Sequence, residues 1–278
     1  MLALGLGAAL AAAVIFGAAS IVLALAVRDS PGSSLSLDVV ISLLKNPAFA
    51  LGIAMNLTGF VLHVVALRTV PLFLAQAGIA ASLAVTALLA VRVFGDRLGP
   101  ADWAAVAATC VGLAMLATAS GAAGDDNASA TFTAGLFVAF AAVAITGFIV
   151  SRMEGVVAAG VLGLLAGCGF AGVGIAARVL PNLTPGALAT SGATYALLLC
   201  GGLGFLLYSV ALRKGAVTGV TAPMIVSQTV VPAVVGVMLL NDDIRDGWYP
   251  VALIGFAVTG WGALQLARFE QTTAPTST

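Results

Sequence analysis

Charge is scarce in this chain. Eleven basic and 11 acidic residues stand among 278, 8% of the total, and the formal net charge is zero. Soluble domains carry about 25% charged residues and about 45–50% apolar ones, whereas this chain is 61% hydrophobic with a mean hydropathy of +1.15. So sparse and balanced a charge set offers no basic patch, which excludes nucleic acid as a partner. No glycine-rich loop ends in Lys-Ser or Lys-Thr, so the chain carries no nucleotide-driven motor of its own. Its three cysteines, Cys110, Cys168 and Cys200, fall inside apolar runs without metal-ligand spacing and read as small core residues. No Asp or Glu falls well inside an apolar run. No nucleophile, base and orienting group share a helical face, so an enzyme is not expected, nor is any cofactor.

What is present is a succession of apolar stretches long enough to cross a bilayer, about 20 residues each. They predict an all-α polytopic membrane protein of about nine helices, at 2–27, 47–67, 71–92, 101–119, 131–150, 156–178, 187–212, 216–240 and 248–267. The first run lacks a basic leading segment and is too long for a signal sequence, so it is read as a span. Residues 1–127 are expected to form a first transmembrane half of about four helices plus an interfacial segment at 35–45. Residues 128–270 form a second half of five helices, and 271–278 a disordered polar tail. With nine spans, one face receives eight basic residues and the other only Arg68, Arg178 and Arg245. The positive-inside rule then places the N-terminus outside and the C-terminus inside. Arg outnumbers Lys 9 to 2 and Ala is abundant, a composition that suggests a bacterial gene and hence the inner (plasma) membrane.

The chain also repeats itself. Gly59-Phe-Val-Leu-His-Val-Val-Ala-Leu-Arg68 aligns with Gly204-Phe-Leu-Leu-Tyr-Ser-Val-Ala-Leu-Arg213, seven of ten positions identical at an offset of 145. The likeness runs on to pair Ser82 with Ser227 and, after one residue of slip, Gly95-Asp-Arg-Leu98 with Asn241-Asp-Asp-Ile244. The copies begin in the second and seventh spans, which point opposite ways. Inverted repeats of this kind build many secondary transporters, with the substrate at the repeat interface near mid-membrane.

Ala66-Leu-Arg68, Gly95-Asp-Arg-Leu98, Trp103 and Gly112 resemble the EamA-type repeat of the drug/metabolite transporter superfamily, which reads Ala-Leu-Arg, Gly-Glu-Arg-Leu, Trp and Gly. The second copy matches less well, with Asn-Asp-Asp-Ile in place of Gly-Glu-Arg-Leu. The resemblance covers about 47–119 and 192–268. It implies a permease working by alternating access. That superfamily usually has ten helices. The nine-span layout and Leu43-Leu-Lys-Asn-Pro47 look more like its branch of NIPA-type magnesium transporters.

Polar side chains within spans are costly and therefore invite a functional reading. Asn56 and His63 share one stripe of the second span, and Ser82 and Thr86 one face of the third, with Gln76 near its end. Tyr208, Ser227 and Gln228 stand in the matching spans of the second copy. These eight residues are the candidate substrate contacts. Pro223 and Pro232 free backbone carbonyls in the same region. The bland alternative for each Ser and Thr is a bond back to its own helix.

The lack of buried carboxylates argues for a neutral, zwitterionic or amphiphilic solute, small-molecule or lipid-like. Were magnesium the cargo, Glu154, Asp96 and Asp242 would be its contacts. Small residues at every fourth position, Gly5-Ala9-Ala13-Gly17 and Ala159-Gly163-Gly167-Ala171, allow close packing. That packing can be within the bundle, or toward a homodimer or membrane-protein partner through the first or sixth helix. The remaining alternative is a non-transporting partner in cell-envelope assembly.

Overall fold

A computed structural model of the chain describes residues 2–28, 46–95, 97–125, 129–181 and 184–273. The expected interfacial segment at 35–45, and Asp96, lie outside the described residues. Among the described residues nine long helices follow one another: α1 (Leu2–Arg28), α2 (Pro47–Thr69), α3 (Leu72–Phe94), α4 (Pro100–Ala119), α5 (Ala130–Ser151), α6 (Val156–Arg178), α7 (Gly192–Lys214), α8 (Val217–Leu239) and α9 (Tyr249–Thr273). All nine are long and apolar enough to cross a membrane. No strand is present among the described residues; a single antiparallel bridge joins Ser120 to Ile244.

Two boundaries differ from expectation. The seventh apolar run is broken at Ser191, so a six-residue helix, Pro185–Thr190, precedes α7. Proline at its first position fits a helix start, where an N–H has no partner anyway. At the other end, α9 continues to Thr273, into the segment expected to be disordered from 271.

Helix starts follow local chemistry. Asn46 accepts a hydrogen bond from the Ala48 N–H at 2.9 Å with Pro47 opening α2, and Ser129 accepts from Phe132 N–H at 3.0 Å to open α5. Asp102 accepts from the Gly99 N–H at 2.8 Å in the first turn of α4. Gly95, at φ 75°, ends α3 in the left-handed conformation that glycine adopts without steric cost. Pro223 and Pro232 lie inside α8, which stays helical through both.

The helices fall into related groups. α1 packs along α2 and α3, while α6 packs along α7 and α8; α4 and α9 pack along each other. α3 and α8 meet each other at the centre, and both touch α9. α5 rests on α6 and α7 and is lipid-like in exposure, with Gly147 its one buried residue.

Both small-residue ladders are consumed inside the bundle. A Cβ at Gly17 would press on Val85 and the Ser82 carbonyl, one at Gly163 would strike the Val220 carbonyl, and one at Gly167 would strike Ser227 Oγ. A homodimer or membrane partner would therefore have to meet α1 or α6 on other faces. The α4–α9 seam is reciprocal. Gly112 faces Thr259, and Gly262 faces Thr109, so Thr-x-x-Gly in one helix meets Thr-x-x-Gly in the other. Thr109 and Thr259 are buried and bond back to the Ala105 and Gly255 carbonyls.

One end of the bundle is tied shut. Residues 119–125, after α4, pair with 240–245, after α8, through Gly121 N–H to Asp243 O, Asp243 N–H to Ala122 O and Arg245 N–H to Ala119 O. Beneath this short ribbon the Arg178 and Asp242 side chains form an ion pair at 3.2 Å, both fully buried. Arg178 also donates to the carbonyls of Leu67, Val70, Gly124 and Asp125. Asp242 accepts from the Leu72 N–H at 2.6 Å and the Gly124 N–H at 2.9 Å. Four chain segments meet in this knot: the α2–α3 turn, the loop after α4, the end of α6 and the loop after α8.

Candidate functional site

Directly below the knot lies a cavity of about 180 Å³. α2 contributes Phe60, His63 and Leu67, α3 contributes Gln76 and Ile79, α6 contributes Phe170, Val173, Gly174 and Ala177, α8 contributes Gln228, and α1 contributes Phe16. The roof is shared with the knot, since Arg178 binds the carbonyl of Leu67, a lining residue.

Three of the eight residues expected from the sequence converge here: His63, Gln76 and Gln228. His63 is 5% exposed and Gln76 4% exposed. His63 Nε2 is buried without a hydrogen-bond partner among the described residues. A buried polar atom left unpaired costs about 1–3 kcal/mol, so one facing a cavity is a place where a ligand atom or water gains a bond. The Phe16 ring stands edge-on to the imidazole, centroids 6.5 Å apart. Gly174 makes room for the Gln76 amide, because a Cβ there would collide with Nε2. Pro232 has no N–H for the Gln228 carbonyl one turn earlier, which leaves that oxygen without its helical donor.

The other five residues lie elsewhere. Ser82 donates to the Ile79 carbonyl at 2.7 Å, and Thr86 to the Ser82 carbonyl at 2.9 Å. Ser227 donates to the Leu164 carbonyl at 2.8 Å across the α6–α8 seam and to Pro223 O at 3.0 Å. Tyr208 shares a 2.9 Å bond with Thr221. Asn56 is half-buried on α2 and outside the cavity lining. Sequence spacing put these groups on plausible faces, but the hydroxyls of Ser82, Thr86, Tyr208 and Ser227 are taken up by backbone and neighbouring helices.

The sequence reasoning missed the aromatic wall of Phe16, Phe60 and Phe170. A phenylalanine among apolar neighbours carries no signal of which face it presents.

The carboxylates named for a magnesium cargo do not assemble. Asp242 is bound in the knot, whereas Glu154 pairs with Lys214 at 2.7 Å at the opposite end of α6. Among the described residues no three His, Cys, Asp or Glu side chains group as a metal site.

Comparison of the chain with protein-family models, with curated proteins and with solved structures finds no match.

Proposed function

We propose that the chain is a secondary carrier of the drug/metabolite transporter type. It moves a small neutral or zwitterionic solute across the bacterial plasma membrane by alternating access. The observation that carries this reading is the convergence of His63 and Gln76 from the first sequence copy with Gln228 from the second on one cavity between them. A site at a repeat interface is served by both halves and can be exposed to either side as they rock.

The packing supports an inverted repeat. The α1–α2–α3 group has its likeness in α6–α7–α8, the α4–α9 seam is reciprocal, and α5 is the helix without a counterpart. The orientation rests on the distribution of basic residues, with Arg178 at the sparser, knotted end and Lys214 at the richer one. The knotted end is then the outer one, and the fold is closed on that side.

The cavity's chemistry narrows the solute. It holds two amides and an imidazole that donate and accept hydrogen bonds, aromatic walls, and no carboxylate or ammonium to offset a net charge. A small solute with balanced or no charge fits these partners, and a divalent cation does not.

Thermal unfolding of the purified protein in detergent tests the reading against a panel of amino acids, polyamines, nucleotide sugars, lipid precursors and magnesium chloride. At 100 times its dissociation constant a ligand adds about 2.7 kcal/mol. The expected result is a shift by a neutral or zwitterionic compound that disappears in Gln76→Leu/Gln228→Leu. A shift by magnesium alone, no shift at all, or an equal shift in the double variant overturns it.

A further inference from the structure

A second cavity, larger than the polar one, lies among the described residues. A cleft of about 620 Å³ lies on the opposite face of α6, walled by α5 on one side and α8 on the other, with α6 and α7 as its floor. Gly135, Leu136 and Phe140 line one wall, Val231 and Val235 the other, and Gly172 the floor. No charged side chain lines it. The floor is sealed because α6 and α7 are in backbone contact: a Cβ at Gly169 would come within 2.8 Å of Gly204, and one at Gly172 within 2.7 Å of Cys200 Sγ.

The mouth of the cleft decides what enters it. α5 packs on α6 and α7 but makes no extended contact with α8. The two walls therefore leave a gap between them along the length of the helices. With these helices spanning a bilayer, such a gap would be bordered by hydrocarbon.

Depth gives a second measure. The α5 wall runs from Ser129, at the knotted end, to Val143, about 21 Å at 1.5 Å per residue. Half of a bilayer with its headgroup regions is about 20–22 Å. The cleft therefore spans one leaflet, with the Ser129 and Thr131 hydroxyls at the headgroup level and apolar walls from there to mid-membrane. Its volume lies within the roughly 300–1,000 Å³ of small-molecule sites.

We propose that this cleft is a binding site for one phospholipid acyl chain of the leaflet at the knotted end, entering between α5 and α8. The chain lies against α6 and stands between α5 and α8. Because α6 also walls the polar cavity through Phe170, Val173 and Gly174, lipid and solute share this one helix. The lipid site itself depends only on the membrane-spanning fold, not on the transport reading.

Native mass spectrometry of the full-length protein, titrated with palmitoyl-oleoyl phosphatidylethanolamine, tests it. A Cβ at Gly135 meets nothing within 4 Å, so Gly135→Phe fills the cleft without disturbing a helix contact, and Ala139→Phe fills it independently. Val138, 69% exposed on the same helix, supplies the control Val138→Phe. The wild type and the control are expected to hold one saturable lipid adduct, weakened at least tenfold in both filling variants, while any solute-induced thermal shift is retained. An adduct of equal affinity in the filling variants, or only a graded, non-saturating series of adducts in the wild type, overturns the proposal.

Discussion

Arg178→Ala is expected to lower the midpoint of thermal unfolding by on the order of 10 °C. Removing one partner of a buried ion pair costs about 3–5 kcal/mol, and 1 kcal/mol is worth roughly 2–4 °C in a domain of 150–250 residues. The loss here belongs to the upper part of that range for a structural reason. Arg178 serves Asp242 and four carbonyls from the α2–α3 turn and the loop after α4, so its removal orphans groups in several segments at once. Arg178→Lys is expected to be nearly as damaging, since an ammonium cannot reproduce the planar fork that reaches those oxygens. Arg178→Met/Asp242→Leu should be more stable than either single apolar change, because no uncompensated charge remains. It should stay below wild type because the carbonyls still lack donors. A midpoint within about 2 °C of wild type for Arg178→Ala would show that the knot does not hold the end of the bundle.

Gly112→Leu is the second large effect. Without a hydrophobic drive between helices in lipid, association depends on close packing of small residues. The α4–α9 seam is built on that principle. A Cβ at Gly112 would collide with Thr259 Oγ1 and come within 2.7 Å of the Gly255 carbonyl. Overpacking costs about 1–3 kcal/mol for added methylenes and more where backbone must move. Gly112→Leu, and equally Gly262→Leu, is expected to lose at least about 3 kcal/mol and to appear as aggregated protein in detergent size-exclusion profiles. Gly202→Ala gives the contrast. Nothing stands within 4 Å of a Cβ there, and alanine gains about 1 kcal/mol of helix propensity over glycine. Equal behaviour of the Gly112 and Gly202 variants would contradict the seam.

The fold was legible in outline because a bilayer imposes one simple requirement, a long apolar run per span. Small residues instead of periodicity marked close-packed faces, with packing inside the bundle and packing against a partner both open. In lipid both the core side and the outer side of a helix are apolar, so amphipathic spacing says little. Gly5-Ala9-Ala13-Gly17 pointed to a close-packed face, and the structure puts it inside the bundle.

The candidate site was legible in part. Gln76, Gln228 and His63 carry polar groups that no helix can satisfy from its own backbone, and they meet at the cavity. Ser82, Thr86 and Ser227 carry hydroxyls that can bond one turn back, and they do so. Asn56, an amide of the same type, stays outside the cavity lining, so neither residue type nor facial spacing alone picks out the site. The knot was not legible at all. Arg178 read only as one of three basic residues on the sparser face and Asp242 as a helix-end carboxylate open to magnesium, and only the folding together of four distant segments buries them as a pair.

The account's central claim is that the cavity holding His63, Gln76 and Gln228 is a water-filled solute site reached alternately from both sides. Reaction of a Gln228→Cys thiol with a membrane-impermeant methanethiosulfonate reagent tests this most directly. The measurement uses a variant in which Cys110, Cys168 and Cys200 are replaced by alanine, in vesicles of each orientation. The account predicts reaction from both faces, with the rate from the knotted end raised several-fold by Asp242→Asn, which weakens the pair over the cavity roof. A folded protein whose introduced thiol stays inert from both faces, or reacts from one face at a rate indifferent to Asp242→Asn, would contradict it.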